Sequence, residues 1–138
     1  MTYLLDSDVL IYHLKGVESV VETITGLFGE GVAISSITYM ETLDGVDPDS
    51  VHGYDPNRFS TLVSKIPIIQ FSQAEAERCV LIRRALRQQG RSTRSRALDL
   101  LIAATALEHG LTLVTNNQRD YVDIPGLRIR ALESDIVS

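Results

Sequence analysis

Three acidic residues from distant segments carry the chemistry available to this chain: Asp6 in "YLLDSDVLIYHLKG", Glu41 in "SSITYMETLDG" and Asp99 in "RALDLLIAATAL". Each has an ordinary explanation when taken alone. Asp6 suits a turn or helix cap before Val9, Glu41 a solvated place in a short helix, and Asp99 a first-turn residue accepting free backbone amides. Asp99 demands more, because its helix is apolar nearly all round, and an unpaired carboxylate buried there is costly or driven neutral. Taken together the acids repel one another unless a cation joins them, and the only two lysines, Lys15 and Lys65, stand well away from all three acids in sequence. Hard oxygen donors suit Mg²⁺ or Mn²⁺, held through a few carboxylates and several waters. The corresponding chemistry is activation of water and stabilisation of charge on a phosphoryl oxygen, as in phosphodiester hydrolysis. His13, His52 and His109 form no zinc spacing, Cys79 is the sole cysteine, and no G-x-S-x-G elbow is present.

The elements that must position these acids are short. "TYLL", "GVAISS", "IPIIQF" and "LTLVT" read as strands ending in turn formers, with "LRIRAL" a weaker fifth. Helical patterns cover Val9 to Lys15, Ser19 to Phe28, Ile37 to Leu43, Gln73 to Gln89 and Leu98 to His109. Ser72 and Glu75 form a capping box, Gly90 and Gly110 stand at expected helix ends, and "DGVDPDSVHGYDPN" reads as a loop. Strands alternating with helices predict a parallel sheet covered on both faces. In such sheets ligands bind beyond the carboxyl ends of the strands. Asp6 follows the first strand, Glu41 lies one to two turns past the second, and "TNNQRD" directly follows "LTLVT".

The 138 residues, 44% hydrophobic and 22% charged, fit one globular domain spanning 1–138. A single cysteine fits a reducing compartment. The longest apolar run, "LDLLIAATALEHG", is too short to span a bilayer and lies far from the start, so a cytoplasmic protein without membrane association is expected. A net charge of -5 argues against tight non-specific nucleic-acid binding by the whole surface. Yet seven of the 13 basic residues fall in one stretch, as Arg78, Arg83, Arg84, Arg87, Arg91, Arg94 and Arg96. That stretch is either a solvated helix face or a contact surface for phosphate or an acidic partner, since guanidinium forks bind oxyanions two bonds at a time.

"LLDSDVLIYHLKG", "ISSITYMETLDG", "ALDLLIAATALEHGLTLVTNNQRDY" and "IPGLRI", in this order, resemble a PIN-domain ribonuclease of the VapC toxin type. The resemblance runs from residue 3 to about residue 130. It implies an α/β class, with a three-layer α/β/α fold and a compact, mainly parallel sheet of four to five strands. It further implies Mg²⁺- or Mn²⁺-dependent endonucleolytic cleavage of RNA, neutralisation by a cognate antitoxin, and a homodimer. Residue by residue, Asp6, Glu41 and Asp99 match the family's metal-ligand acids. The fourth acidic position falls on Asn117, where many members carry aspartate, with Asp120 as the alternative carboxylate. Asp8 matches a position supporting the site from behind, and Ser7 and Thr115 match positioning hydroxyls. Arg83, Arg84, Arg87, Arg91, Arg94 and Arg96 are then candidates for contacting flanking phosphates or the antitoxin.

Two readings compete. A haloacid-dehalogenase-type phosphatase also starts from a strand followed by D-x-D, but it needs a later lysine, and none follows Lys65. A non-catalytic PIN-like module binding RNA or protein would keep the fold without needing three matched carboxylates.

Overall fold

The computed structural model describes residues 1–49 and 53–132, so His52 lies outside the described residues. Short apolar runs alternate with helical segments in the order β1 (Tyr3–Leu5), α1 (Ser7–Leu14), α2 (Glu18–Leu27), β2 (Val32–Ser35), α3 (Ser36–Leu43) and α4 (Pro56–Val63). They continue as β3 (Ile68–Ile69), α5 (Gln73–Gln88), α6 (Ala97–Glu108), β4 (Thr112–Thr115) and β5 (Ile129–Ala131). The five strands form one sheet in the order β3-β2-β1-β4-β5, and every neighbouring pair is parallel. β1 is central, with β2 on one side and β4 on the other. That is the topological switch point of an open α/β sheet, and it opens a crevice beyond the carboxyl ends of β1 and β4.

Side chains alternate across the sheet and divide the core in two. Tyr3, Leu5, Val32, Ile34 and Val114 pack on one face with residues of α1, α2 and α4, including Leu10, Ile24 and Phe59. Leu4, Ala33 and Leu113 pack on the other with residues of α5 and α6, including Ile82, Leu86 and Ile102. The result is the expected three-layer α/β/α arrangement, with both faces of the parallel sheet covered. Among the described residues no helix is long and apolar enough to cross a membrane.

The helix ends follow from capping. The Asp6 side chain accepts from the Ser7 amide, which starts α1 two residues before the apolar pattern begins at Val9. The predicted loop over "DGVDPDSVHGYDPN" is corrected at its end, where Pro56 and Asn57 open α4. Asp55 caps this helix by accepting from the Asn57 amide, Pro56 occupies its first turn, and Phe59 and Leu62 are buried.

Gly45 has a specific reason to be glycine. A β-carbon there would lie 2.6 Å from the Tyr54 hydroxyl oxygen. Tyr54 uses that hydroxyl to donate to the Thr42 carbonyl and is itself buried. The missing side chain therefore lets an aromatic ring pin the end of α3, the helix that carries Glu41.

Candidate functional site

Asp6 emerges from the central strand into the crevice. Its own amide donates to the Val114 carbonyl at 2.9 Å, extending the β1–β4 pairing by one residue. Its carboxylate accepts the Ser7 amide on one oxygen and the Thr115 hydroxyl on the other, both at 2.8 Å. The residue is only 5% exposed. Burial pushes its pKa up to about 6, against the pull of these two donors and with a further push from the charge of Asp99.

Asp8, in the first turn of α1, ties that helix to the chain leaving β4. One oxygen accepts the Val9 amide at 2.7 Å, and the other accepts the Asn116 amide and the Asn117 side-chain amide, each at 3.1 Å. Burial and then the charge of Asp6 push its pKa up to about 7. Both carboxylates are thus pushed up by burial and by neighbouring negative charge.

Glu41 arrives from α3. The Ser7 hydroxyl donates to its Oε1 at 2.5 Å, with the Thr38 hydroxyl oxygen 3.1 Å from the same Ser7 oxygen. Ser7 therefore links α1 to α3 at the crevice. Asp99 lies in the first turn of α6 and is half-buried, more open than a helix apolar nearly all round suggests. Its Oδ1 accepts the Tyr121 hydroxyl at 3.3 Å. Its pKa is raised by burial, and the negative charges of Asp120 and Glu41 add to the push.

The two candidates for the fourth acidic position separate. Asn117 is exposed and turns its side-chain amide toward Asp8, while its backbone amide donates to the Thr115 hydroxyl oxygen at 3.0 Å. Asp120 is half-buried and close enough for its charge to bear on Asp99. The arginines divide as well. Arg83, Arg84, Arg87 and Arg94 are exposed and enter no ion pair among the described residues. Arg96 departs from the expectation of a free contact residue. Its guanidinium makes two 2.8 Å bonds to Asp123 and a 2.5 Å bond to the Asp120 carbonyl, which commits its terminal nitrogens inside the fold. Arg91 also reaches Asp123, at 3.5 Å, from a more exposed position.

Sequence reasoning missed Tyr121, Thr38 and Asp123. Tyr121 had a signal available: a tyrosine closing the polar run "TNNQRD" is an apolar body with a polar tip, and such a group seeks a buried partner.

Metal-ligand chemistry fits this donor set, though the ligands are not already closed around a point. Among the described residues no three His, Cys, Asp or Glu side chains form a ready ligand group. The charge of Asp99 nevertheless bears on Asp6 and Asp8, that of Asp6 on Asp8, and that of Glu41 on Asp99, each pushing the affected pKa up, and Arg96, the cation whose charge reaches Asp99, is bonded to Asp123. Buried, mutually repelling carboxylates with hard oxygens provide what a divalent cation would relieve.

Comparison with known proteins agrees with the fold and the motifs. A tRNA(fMet)-specific endonuclease VapC from Shigella flexneri is 30% identical over 128 residues, covering 93% of this chain and 96% of that protein. The structure of VapBC2 from Rickettsia felis bound to a promoter DNA fragment matches with a TM-score of 0.80 at 28% identity, covering 96% of this chain and 100% of the other. A toxin–antitoxin complex from Klebsiella pneumoniae matches with a TM-score of 0.69 at 31% identity, covering 91% and 95%. The PIN domain model spans residues 3–126, which contain every acid of the crevice, and the chain belongs to the PIN domain family.

Proposed function

We propose that this chain is a VapC-type endoribonuclease that hydrolyses RNA phosphodiesters with Mg²⁺ or Mn²⁺ and is neutralised by a protein antitoxin. The observation that carries the reading is the gathering of Asp6, Glu41 and Asp99 at the carboxyl edge of β1, each from a different element, with burial and mutual repulsion raising Asp6 and Asp99. The similarity to an endonuclease and to a toxin–antitoxin complex supports the substrate class and the partner. It sets aside the phosphatase reading.

In this mechanism Asp6, Glu41 and Asp99 would hold the metal, with Asp120 the carboxylate available for the fourth position. A bound Mg²⁺ or Mn²⁺ supplies a low-pKa water and neutralises charge growing on the phosphoryl oxygen. Thr115 fixes the orientation of Asp6 through its hydroxyl, and Ser7 does the same for Glu41. Asp8 holds the β4 exit against α1 and so keeps Thr115 and Asn117 in register with Asp6.

In this reading the exposed arginines of α5 meet RNA phosphates. α5 and α6 run antiparallel, since His109 after α6 meets Glu75 at the start of α5, while Asp123 bonds both Arg91 and Arg96 at the opposite end. Arg83, Arg84 and Arg87 therefore lie along the half of α5 beside the start of α6, where Asp99 sits. Replacing Arg84 and Arg87 together by glutamine should raise KM several-fold and leave kcat within about twofold. The salt dependence of binding should become shallower by about 0.7 in log–log slope for each phosphate that is no longer neutralised. A variant with unchanged KM and unchanged slope would remove α5 from the RNA path.

The activity itself is tested by incubating the purified chain with tRNA and other RNAs in Mg²⁺, Mn²⁺ or chelator. Cleavage that needs the metal and stops in chelator is expected. A binding-only module would retain RNA without cutting it under any of these conditions.

A further inference from the structure

We propose that Tyr121 is a positioning residue of the metal centre, its buried phenol tying Asp99 on α6 to the crevice, and that the Arg96–Asp123 pair holds it there. This rests on the metal-dependent reading of the same site.

Tyr121 is 1% exposed, so its hydroxyl has no recourse to solvent and must find a partner inside. That partner is Asp99 Oδ1 at 3.3 Å, across a separation of 22 residues. The same hydroxyl also faces Asp6 across the crevice. A donor aimed between two like-charged carboxylates counters part of their repulsion and limits the positions Asp99 can take. The other oxygen of Asp99 accepts no hydrogen bond among the described residues, which leaves it available to a metal ion.

The segment carrying Tyr121 is itself clamped. Arg96, at the N-terminal boundary of α6, grips Asp123 with two bonds and the Asp120 carbonyl with a third. These contacts bracket Tyr121 on both sides in sequence. Asp123 is at least as buried as its partner and is drawn below the usual carboxylate range by Arg96, with Arg91 contributing from outside. The clamp therefore fixes the start of α6 and the 120–123 segment as one unit, and the phenol spans that unit to the crevice. A phenylalanine at 121 would fill nearly the same volume and remove only the donor.

The test is Mn²⁺ binding by the purified chain, followed by electron paramagnetic resonance of the free ion, with RNA cleavage measured across Mn²⁺ concentrations. Groups that orient metal ligands typically contribute about 10–100-fold to affinity. Tyr121→Phe should weaken Mn²⁺ binding about 10-fold and raise the Mn²⁺ concentration for half-maximal cleavage equally, with kcat at saturating metal largely recovered. Asp123→Asn, which leaves the phenol in place, should weaken binding in the same direction by a smaller factor. Combined with Tyr121→Phe it should add less than its separate effect. Native affinity in Tyr121→Phe, with native metal dependence of cleavage, would overturn the assignment. So would a Tyr121→Phe chain that unfolds while Asp123→Asn binds Mn²⁺ normally. A wild-type chain without saturable Mn²⁺ binding would overturn the metal reading together with this inference, whereas equal binding by wild type and variants overturns the inference alone.

Discussion

Asp6→Asn is expected to lose RNA cleavage by about 10²–10³-fold while unfolding at a higher temperature than the wild type in chelator at pH 7.5. The first half follows from the role of the ligand. A metal ion supplies several kcal/mol of charge stabilisation in the transition state, and each ~1.4 kcal/mol is a factor of ten in rate. The second half follows from where the ligand sits. Asp6 is nearly inaccessible, and its pKa of about 6 means that the folded, metal-free chain resists its charge. An amide of the same shape caps α1 as well as a carboxylate does, and it carries no charge to bury. The relief is of order 1–3 kcal/mol from a shift of this size, or a few degrees in unfolding temperature for a chain of this length. Activity assays and melting curves on one preparation check both halves. A variant that is inactive and also less stable would mean that Asp6 serves the fold first.

The second large effect concerns pH. Metal-free protein is expected to become more stable as pH falls from about 7.5 to about 5, contrary to the usual acid destabilisation. Asp6 and Asp8 have pKa values of about 6 and 7 in the folded chain against 3.8 as the reference value. Between those limits the folded state binds more protons than the unfolded one, so stability increases as pH drops through 7 and 6. Below about 4.5 the sign reverses. Glu75, buried and bonded to Ser72 and His109, is held near 2, so the stability it contributes is lost as pH falls toward that value. Saturating Mn²⁺ should flatten the slope between 7.5 and 5.5, because the cation then offsets the repulsion that protons otherwise relieve. Melting temperatures across this range, with chelator and with Mn²⁺, check the account. Stability that rises steadily from pH 5 to 7.5 in chelator would contradict it.

Much of the fold and site is legible in the sequence because local rules and the fold agree. Asp6 can be placed from a strand that ends in a helix cap, and Asp99 from a carboxylate in an otherwise apolar helix. Both signals are contained within about ten residues. α4 is not legible, because its start is crowded with the turn formers of "DGVDPDSVHGYDPN" and only Phe59 and Leu62 mark its buried face. Arg96 reads as part of an arginine-rich surface. Its actual partner, Asp123, is 27 residues further along, and no spacing rule joins the two. The Tyr121–Asp99 bond is hidden for the same reason, since it depends on the loop after β4 folding back over the start of α6. Asp8 is legible as a helix-start residue beside Asp6, but its raised pKa is not. That property belongs to burial beside Asp6, which the D-x-D pattern alone does not encode.

The most direct test of the carboxylate centre is RNA cleavage by Asp99→Asn beside the wild type, at saturating Mn²⁺, with both chains shown to be folded. The wild type should cut and the variant should fall to the level of the wild type in chelator. Undiminished, Mn²⁺-dependent cleavage by Asp99→Asn would contradict the assignment of Asp99 and, with it, the centre built around Asp6, Glu41 and Asp99.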